Sequence, residues 1–182
     1  MNLDGDGISQ HGFTDRINIT PKSDIDSIRR FDVVYFSGDA LTMRDKAYKR
    51  FKLLVDSGNM EELPFPLKNV AIYHCGVLQD NRKKIVSAGP TTSYRFEEFI
   101  LYHAMNTDIK IIIGKGQLGS ETLEKLSEIG AIFFMFCGGC GALAAQKILY
   151  VKNVFWEDLG PPEAVYHLRF QGFGPLIALN GG

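Results

Sequence analysis

The sequence holds only three cysteines and one tryptophan, has no excess of charge of either sign, and contains no long apolar run. Each shortage closes off a class of protein. Cys75, Cys137 and Cys140 are too few, and odd in number, for a disulfide scaffold, and they fit a reducing cytoplasm. A formal net charge of −1 gives no broad field to attract nucleic acid. The longest apolar stretches, such as Ala131 to Cys137, fall far short of the ~20 residues that span a bilayer, so no membrane segment is expected. Met1 to Gly7 is acidic and lacks an apolar h-region, so no signal peptide is expected either. Internal repeats and low-complexity tracts are missing. So are the glycine–lysine spacing of a P-loop, the nucleophile elbow and the metalloprotease helix.

What is present reads as an ordinary globular chain. Its 182 residues are 45% apolar, enough for one domain with a substantial core. Residues 1–17 are polar and Gly-rich and are expected to form a flexible arm, with the domain over 18–182. A short helix is predicted from Ser23 to Arg30, then a strand from Phe31 to Phe36 broken by Ser37-Gly38-Asp39. Met43 to Val55 follows a helical period, and Leu63 to Pro66 is a loop. Val70 to Cys75 reads as a buried strand. Ile85 to Ala88 leads into Gly89-Pro90, read as a turn. Helical spacing resumes from Arg95 through His103. Ile109 to Ile113 is an apolar strand, Ser120 is the predicted N-cap of a helix through Ile129, and Ala131 to Cys137 is another strand. After a helix over 142–148, strands are predicted at 151–156, 164–170 and 175–179. The alternation argues for a mixed α/β fold of sheet layers with flanking helices.

Chemistry concentrates in a few segments. Gly89-Pro90-Thr91-Thr92-Ser93-Tyr94-Arg95 combines close backbone approach, three hydroxyls and a planar cation suited to carboxylate or phosphate. Lys115, between Gly114 and Gly116 after a buried strand, is either an anion-holding point charge or a solvated turn lysine. Arg44, in Thr42-Met43-Arg44-Asp45 at a helix start, is either a bidentate anion donor or a surface residue paired with Asp45 or another nearby acid. Cys137-Gly138-Gly139-Cys140 is either a backbone turn or a redox or metal pair. Among the histidines, His11 falls in the arm, His103 and His167 fit packing patterns, and His74 at a strand end is placed to line a cleft.

Thr42-Met43-Arg44-Asp45, Gly89 to Arg95, Gly114-Lys115-Gly116 and the Gly138-Gly139 turn, with the ending Trp156-Glu157-Asp158-Leu159-Gly160 through Glu163 to Tyr166, resemble the class I fumarate hydratases in order and rough spacing. The resemblance is to their C-terminal domain, a separate beta subunit in two-subunit versions, and it spans about residues 20 to 180. L-tartrate dehydratase beta subunits look much the same. The resemblance implies a swivelling β/β/α domain and the reversible hydration of fumarate to (S)-malate at a 4Fe-4S iron–sulfur cluster. That cluster's ligands are implied to lie on an alpha subunit rather than on this chain. Thr91 is implied as the hydroxyl that takes the C3 proton of malate, and Arg44, Arg95, Lys115, Gly89 and Thr92 as substrate-binding residues, with no metal ligand here. A cytoplasmic hetero-oligomer follows, with a homodimer as the form in isolation. The alternatives are a tartrate dehydratase beta subunit and a small-anion binding module without catalysis. Four positions depart from the family pattern: Tyr48 where a His is common, Tyr94 where a small residue is usual, and the paired Cys137 and Cys140.

Overall fold

The computed structural model describes residues 17–181. The expected arm and His11 thus lie outside the described residues, except Ile17, which opens the first strand. Numbered in chain order, the strands are β1 (Ile17–Ile19), β2 (Val33–Thr42), β3 (Ala71–Tyr73), β4 (Cys75–Gln79), β5 (Ile85–Pro90), β6 (Ile111–Gly114), β7 (Ile132–Met135), β8 (Ile148–Phe155) and β9 (Val165–Ala178). The helices are α1 (Asp45–Asp56), α2 (Glu97–Asn106), α3 (Ser120–Glu128) and α4 (Gly141–Gln146). This is the expected mixed α/β architecture.

Seven strands form one sheet in the order β1-β2-β3-β6-β7-β9-β8, and β4 pairs with β5 as an antiparallel hairpin. The pairs β1–β2, β2–β3, β3–β6 and β6–β7 are parallel. Strand β9 runs antiparallel to β2, β7 and β8, and Ile177 is paired with both Val33 and Met135. The pairings β2–β3–β6–β7–β9–β2 therefore close on themselves. Successive side chains of a strand enter opposite faces. Ile72, Ile112 and Phe133 pack in the cluster that holds Phe51 of α1, Ile100 of α2 and Leu126 of α3. Tyr73, Ile113 and Phe134 pack in the other, with Val77 and Ala88 of the hairpin and Ala144 of α4. Burial on both faces is why these short strands read as unbroken apolar runs.

Four expectations need correction. Gly38 does not end its strand: β2 continues through it, with register shifts just before it, between Val34 and Phe36 and between Phe36 and Gly38. A Cβ at Gly38 would lie 2.4 Å from Pro21 Cδ, so the glycine marks a close approach and a bulge instead of a turn. Residues 23–30 form turns, not a helix, because short polar side chains take the backbone bonds: Ser23 Oγ accepts the Thr20 N–H and Asp24 Oδ1 the Asp26 N–H. The two strands predicted near the end are one, since β9 passes through Gly172 and Gly174 while Ser37 Oγ accepts the Gly172 N–H at 2.9 Å. The N-cap of α3 is Gly119, not Ser120, and a Glu97 carboxylate oxygen accepts the Gly119 N–H.

Candidate functional site

The carboxyl ends of β2, β3, β6 and β7 lead directly into Arg44, His74, Lys115 and the Cys137–Cys140 turn. Ligands of open α/β sheets bind at such strand ends. A cleft of about 560 Å³ opens there, and Arg44, Gly89, Thr91, Thr92, Arg95 and Lys115 all line it. The six residues singled out from sequence are thus brought together. Gly76, Leu78, Ser87, Pro90 and Pro162 complete the lining. Gly89-Pro90 is not the expected turn. It ends β5, with Gly89 opposite Gly76 and Pro90 opposite Cys75. The chain turns only after Thr92, in a single 3₁₀ turn at Ser93–Phe96.

Arg44 is the extended residue before α1. Its Nε lies 3.4 Å from Glu163 Oε1, while Glu163 Oε2 accepts the Lys46 N–H at 2.9 Å. The positive end of α1 is therefore met by a carboxylate of the chain itself. Asp45 is not the partner of Arg44; it stands 3.5 Å from Arg95 Nη2. A Cβ at Gly76 would lie 2.7 Å from Arg44 Nη1, so the missing side chain there is what lets the guanidinium reach the cleft.

Arg95 Nη2 donates to Thr91 Oγ1 at 3.1 Å, and its guanidinium sits 5.1 Å from the Phe96 ring centroid. The Thr91 N–H donates to His74 O at 2.7 Å. Thr92 bridges Lys115 in parallel, and the Ser93 N–H donates to Lys115 O at 2.9 Å. The loop carrying the hydroxyls and the loop carrying the lysine are therefore one hydrogen-bonded unit.

Beneath this unit lies a buried polar line. His74 is fully buried and does not line the cleft, contrary to expectation. Its Nε2 lies 2.7 Å from Tyr48 Oη and its Nδ1 2.8 Å from Ser93 Oγ, which also accepts the Lys115 N–H at 3.2 Å. Burial, with a smaller push from His103, lowers the His74 pKa to about 3, so the ring is neutral. Tyr48 is thus a buried hydrogen-bond partner of His74, while Tyr94 is exposed. His103 is buried 4.4 Å from the Phe51 ring, and burial lowers its pKa to about 3 as well. His167 lies in β9, 3.6 Å from Asp39.

Cys137 is exposed, Cys140 half-buried and Cys75 buried, all as free thiols. Burial pushes the Cys75 thiol far up, against the opposing charge of Arg44. Among the described residues, no three of His, Cys, Asp and Glu gather so as to hold a metal ion. A second cleft of about 510 Å³, between Thr20–Lys22 and Asp39, His167 and Arg169, holds none of the six residues. Its one carboxylate, Asp39, is already met by Lys152 at 2.6 Å and Arg169 at 3.3 Å.

Sequence reasoning missed Gly76, Ser87 and Pro162 in the lining, Glu163 as the partner of Arg44, and the Tyr48–His74–Ser93 line. One signal was available: Gly76 and Gly89 both follow or precede short apolar runs, and paired glycines on neighbouring strands leave a floor without side chains.

The model of a family described as Fumarase C-terminus matches residues 9–181. The L(+)-tartrate dehydratase subunit beta of Escherichia coli K12 is 36% identical over 157 residues, 85% of this chain and 76% of that protein. A Methanocaldococcus jannaschii protein provisionally named L(+)-tartrate dehydratase subunit beta is 38% identical over 171 residues, 88% of this chain and 83% of that protein. A Geobacillus stearothermophilus protein provisionally named class I fumarate hydratase is 33% identical over 153 residues, 82% of this chain but 28% of that longer protein.

Proposed function

The chain belongs to the fumarase C-terminal family, and we propose that it is the beta subunit of a hydro-lyase acting on a four-carbon dicarboxylate. The observation that carries this reading is the convergence of Arg44, Arg95 and Lys115 around Thr91 in one cleft. A dicarboxylate needs two cationic anchors, and three are at hand. Thr91 has the role of base toward the substrate C3 proton. A threonine hydroxyl is a weak base, but Arg95 donates to its oxygen, and a cation in hydrogen-bond contact favours the deprotonated form. The same cations stabilise the aci-carboxylate charge that develops as the proton leaves. Gly89, Gly76 and the extended Thr92 shape the floor and wall against which the substrate lies.

The cleft offers cations and hydroxyls, which suit the substrate and not iron. We therefore assign the 4Fe-4S cluster to an alpha subunit, on which, when bound, it supplies a Lewis acid for the departing hydroxyl. Arg95 and Asp45 are about half exposed at the mouth, which leaves a face for that partner. The hairpin, closed sheet and helix layer are read as the swivelling β/β/α domain, and the complex as a cytoplasmic hetero-oligomer. No helix among the described residues is long and apolar enough to cross a membrane.

Fumarate and (S)-malate are the first reading of the substrate. Tartrate is the second, favoured by the identity to tartrate dehydratase beta subunits over most of their length. Anaerobic co-expression with the alpha subunit, followed by assay on both substrates, tests the choice. Turnover of tartrate alone overturns the fumarate reading. Tight dicarboxylate binding by a chain that recruits no iron–sulfur partner overturns the hydro-lyase reading in favour of a binding module.

A further inference from the structure

The dicarboxylate site leaves Cys137-Gly138-Gly139-Cys140 unused. The geometry points to Cys137 and Cys140 as a modification site: a dithiol beside the cleft that a peroxide closes to an intrachain disulfide, altering the surroundings of Lys115. The backbone is already bent for it. Gly138 and Gly139 form a turn, and Gly139 has φ +80°, the value that the third residue of a type II turn requires. Such a turn brings its first and last Cα atoms within about 7 Å, and disulfides span Cα separations of about 4.4–6.8 Å. Glycine at both central positions leaves no side chain between the sulfurs. Both thiols are free and reach solvent, Cys137 more than Cys140.

The turn and the first residue of α4 after it each meet the cleft. A Cβ at Gly138 would lie 3.0 Å from Lys115 Cδ, and one at Gly141 would lie 3.0 Å from Gly89 Cα. The segment before it is fixed, because the Phe136 N–H donates to Gly114 O at 2.8 Å. A bond across the turn therefore acts on the surface against which the Lys115 stem rests.

The step balances with a peroxide as oxidant. The Cys137 thiolate attacks one peroxide oxygen and breaks the O–O bond, leaving a sulfenic acid and a hydroxide that is protonated to water. The Cys140 thiolate then attacks the Cys137 sulfur, the S–S bond forms, the S–O bond breaks, and a second water leaves. Two electrons pass from the sulfurs to the peroxide, and the two thiol protons end in the two waters. Cys75, buried and with its thiol pushed up, is an internal control.

Formation of the bond does not depend on the hydro-lyase reading; the meaning of the Lys115 contact does. The test treats the reduced full chain with hydrogen peroxide and follows intact mass and thiol alkylation. The expected result is a loss of about 2 Da, reversed by dithiothreitol, with the link inside the tryptic peptide 126–147, which carries both cysteines. Cys75 is expected to stay alkylatable after unfolding. Cys137→Ser and Cys140→Ser should each abolish the 2 Da loss. Oxygen additions without that loss, a bond to Cys75, or links only between chains overturn the proposal. Labelling of Lys115 by an amine-reactive reagent should differ between the two forms while that of Lys152 does not. Unchanged Lys115 labelling overturns the link to the cleft and leaves the hydro-lyase reading untouched.

Discussion

Ser93 Oγ stands 2.8 Å from His74 Nδ1, with both residues wholly buried. The same oxygen accepts the Lys115 N–H, so one hydroxyl ties the loop that carries Thr91 to the loop that carries Lys115. Ser93→Ala removes a partner from two groups at once. Each unpaired buried polar group costs about 1–3 kcal/mol. Urea unfolding is expected to show a stability loss in that range. In the reconstituted complex, KM should rise more than kcat falls, because the anchor loosens while the Thr91 hydroxyl remains. Unchanged urea midpoint and KM would remove Ser93 from this role.

Two glycines of the site should answer alanine in opposite ways. A Cβ at Gly114 would lie 1.9 Å from Ser93 Oγ, 2.9 Å from His74 Nδ1 and 3.1 Å from a Phe133 ring carbon. All three neighbours are buried, so Gly114→Ala should cost about 1–3 kcal/mol or more. A Cβ at Gly89 would meet nothing nearer than 3.7 Å. Gly89→Ala should therefore keep the melting temperature and weaken substrate binding, since Gly89 lines the cleft. Equal melting temperatures for the two variants would contradict this account of the packing.

Thr91→Ala should lower kcat of the complex by about 10²–10⁴, the usual contribution of a positioned proton-transfer group. Thr91→Ser keeps the oxygen that Arg95 addresses and should restore much of that loss. Arg95→Ala removes both an anchor and the cation beside the hydroxyl, so kcat and kcat/KM should fall together. Steady-state kinetics under anaerobic conditions separate these patterns. Near-normal turnover of Thr91→Ala would end its role as base.

Acid should unfold the protein through its buried histidines. Folding lowers the pKa of His74 and of His103 from the ordinary value near 6.5 to about 3. At pH 7 both states are neutral and nothing is lost. Below about pH 6.5 the unfolded chain binds two protons that the folded chain refuses, so stability falls as pH falls, down to about pH 3. The slope approaches about 1.4 kcal/mol per pH unit for each ring. Urea midpoints at pH 7 and pH 5 should show the fall, and His103→Gln should make the slope shallower whatever it does to the absolute stability. A flat profile over this interval would mean that neither ring is held neutral by the fold.

The six residues of the cleft were legible because they fall in short polar segments close to apolar runs, where the sheet delivers side chains to one edge. The apolar runs themselves were legible because burial on both faces removes every polar residue from Ile111–Ile113 and Ile132–Phe134. What could not be read depends on distant neighbours. Gly38 looks like a strand breaker until Pro21 is seen against it. His74 looks like a cleft histidine until Tyr48 and Ser93 are found on its two nitrogens. Arg44 carries no local sign that its partner acid lies beyond β8, in Glu163.

The closure of the sheet by β9 has a consequence for how the chain is made. Val33 and Leu41 find their partners in Ile177 and His167, so the first long strand waits for nearly the whole sequence. Contacts of such separation slow folding, because the intervening loop must be ordered before they form. A nascent chain that ends before β9 presents β2 and β7 as open edges, and open edges invite pairing with other chains. Stopping synthesis near residue 164 should therefore yield an aggregating product and not a shortened domain, with the last strand acting as the latch of the whole assembly.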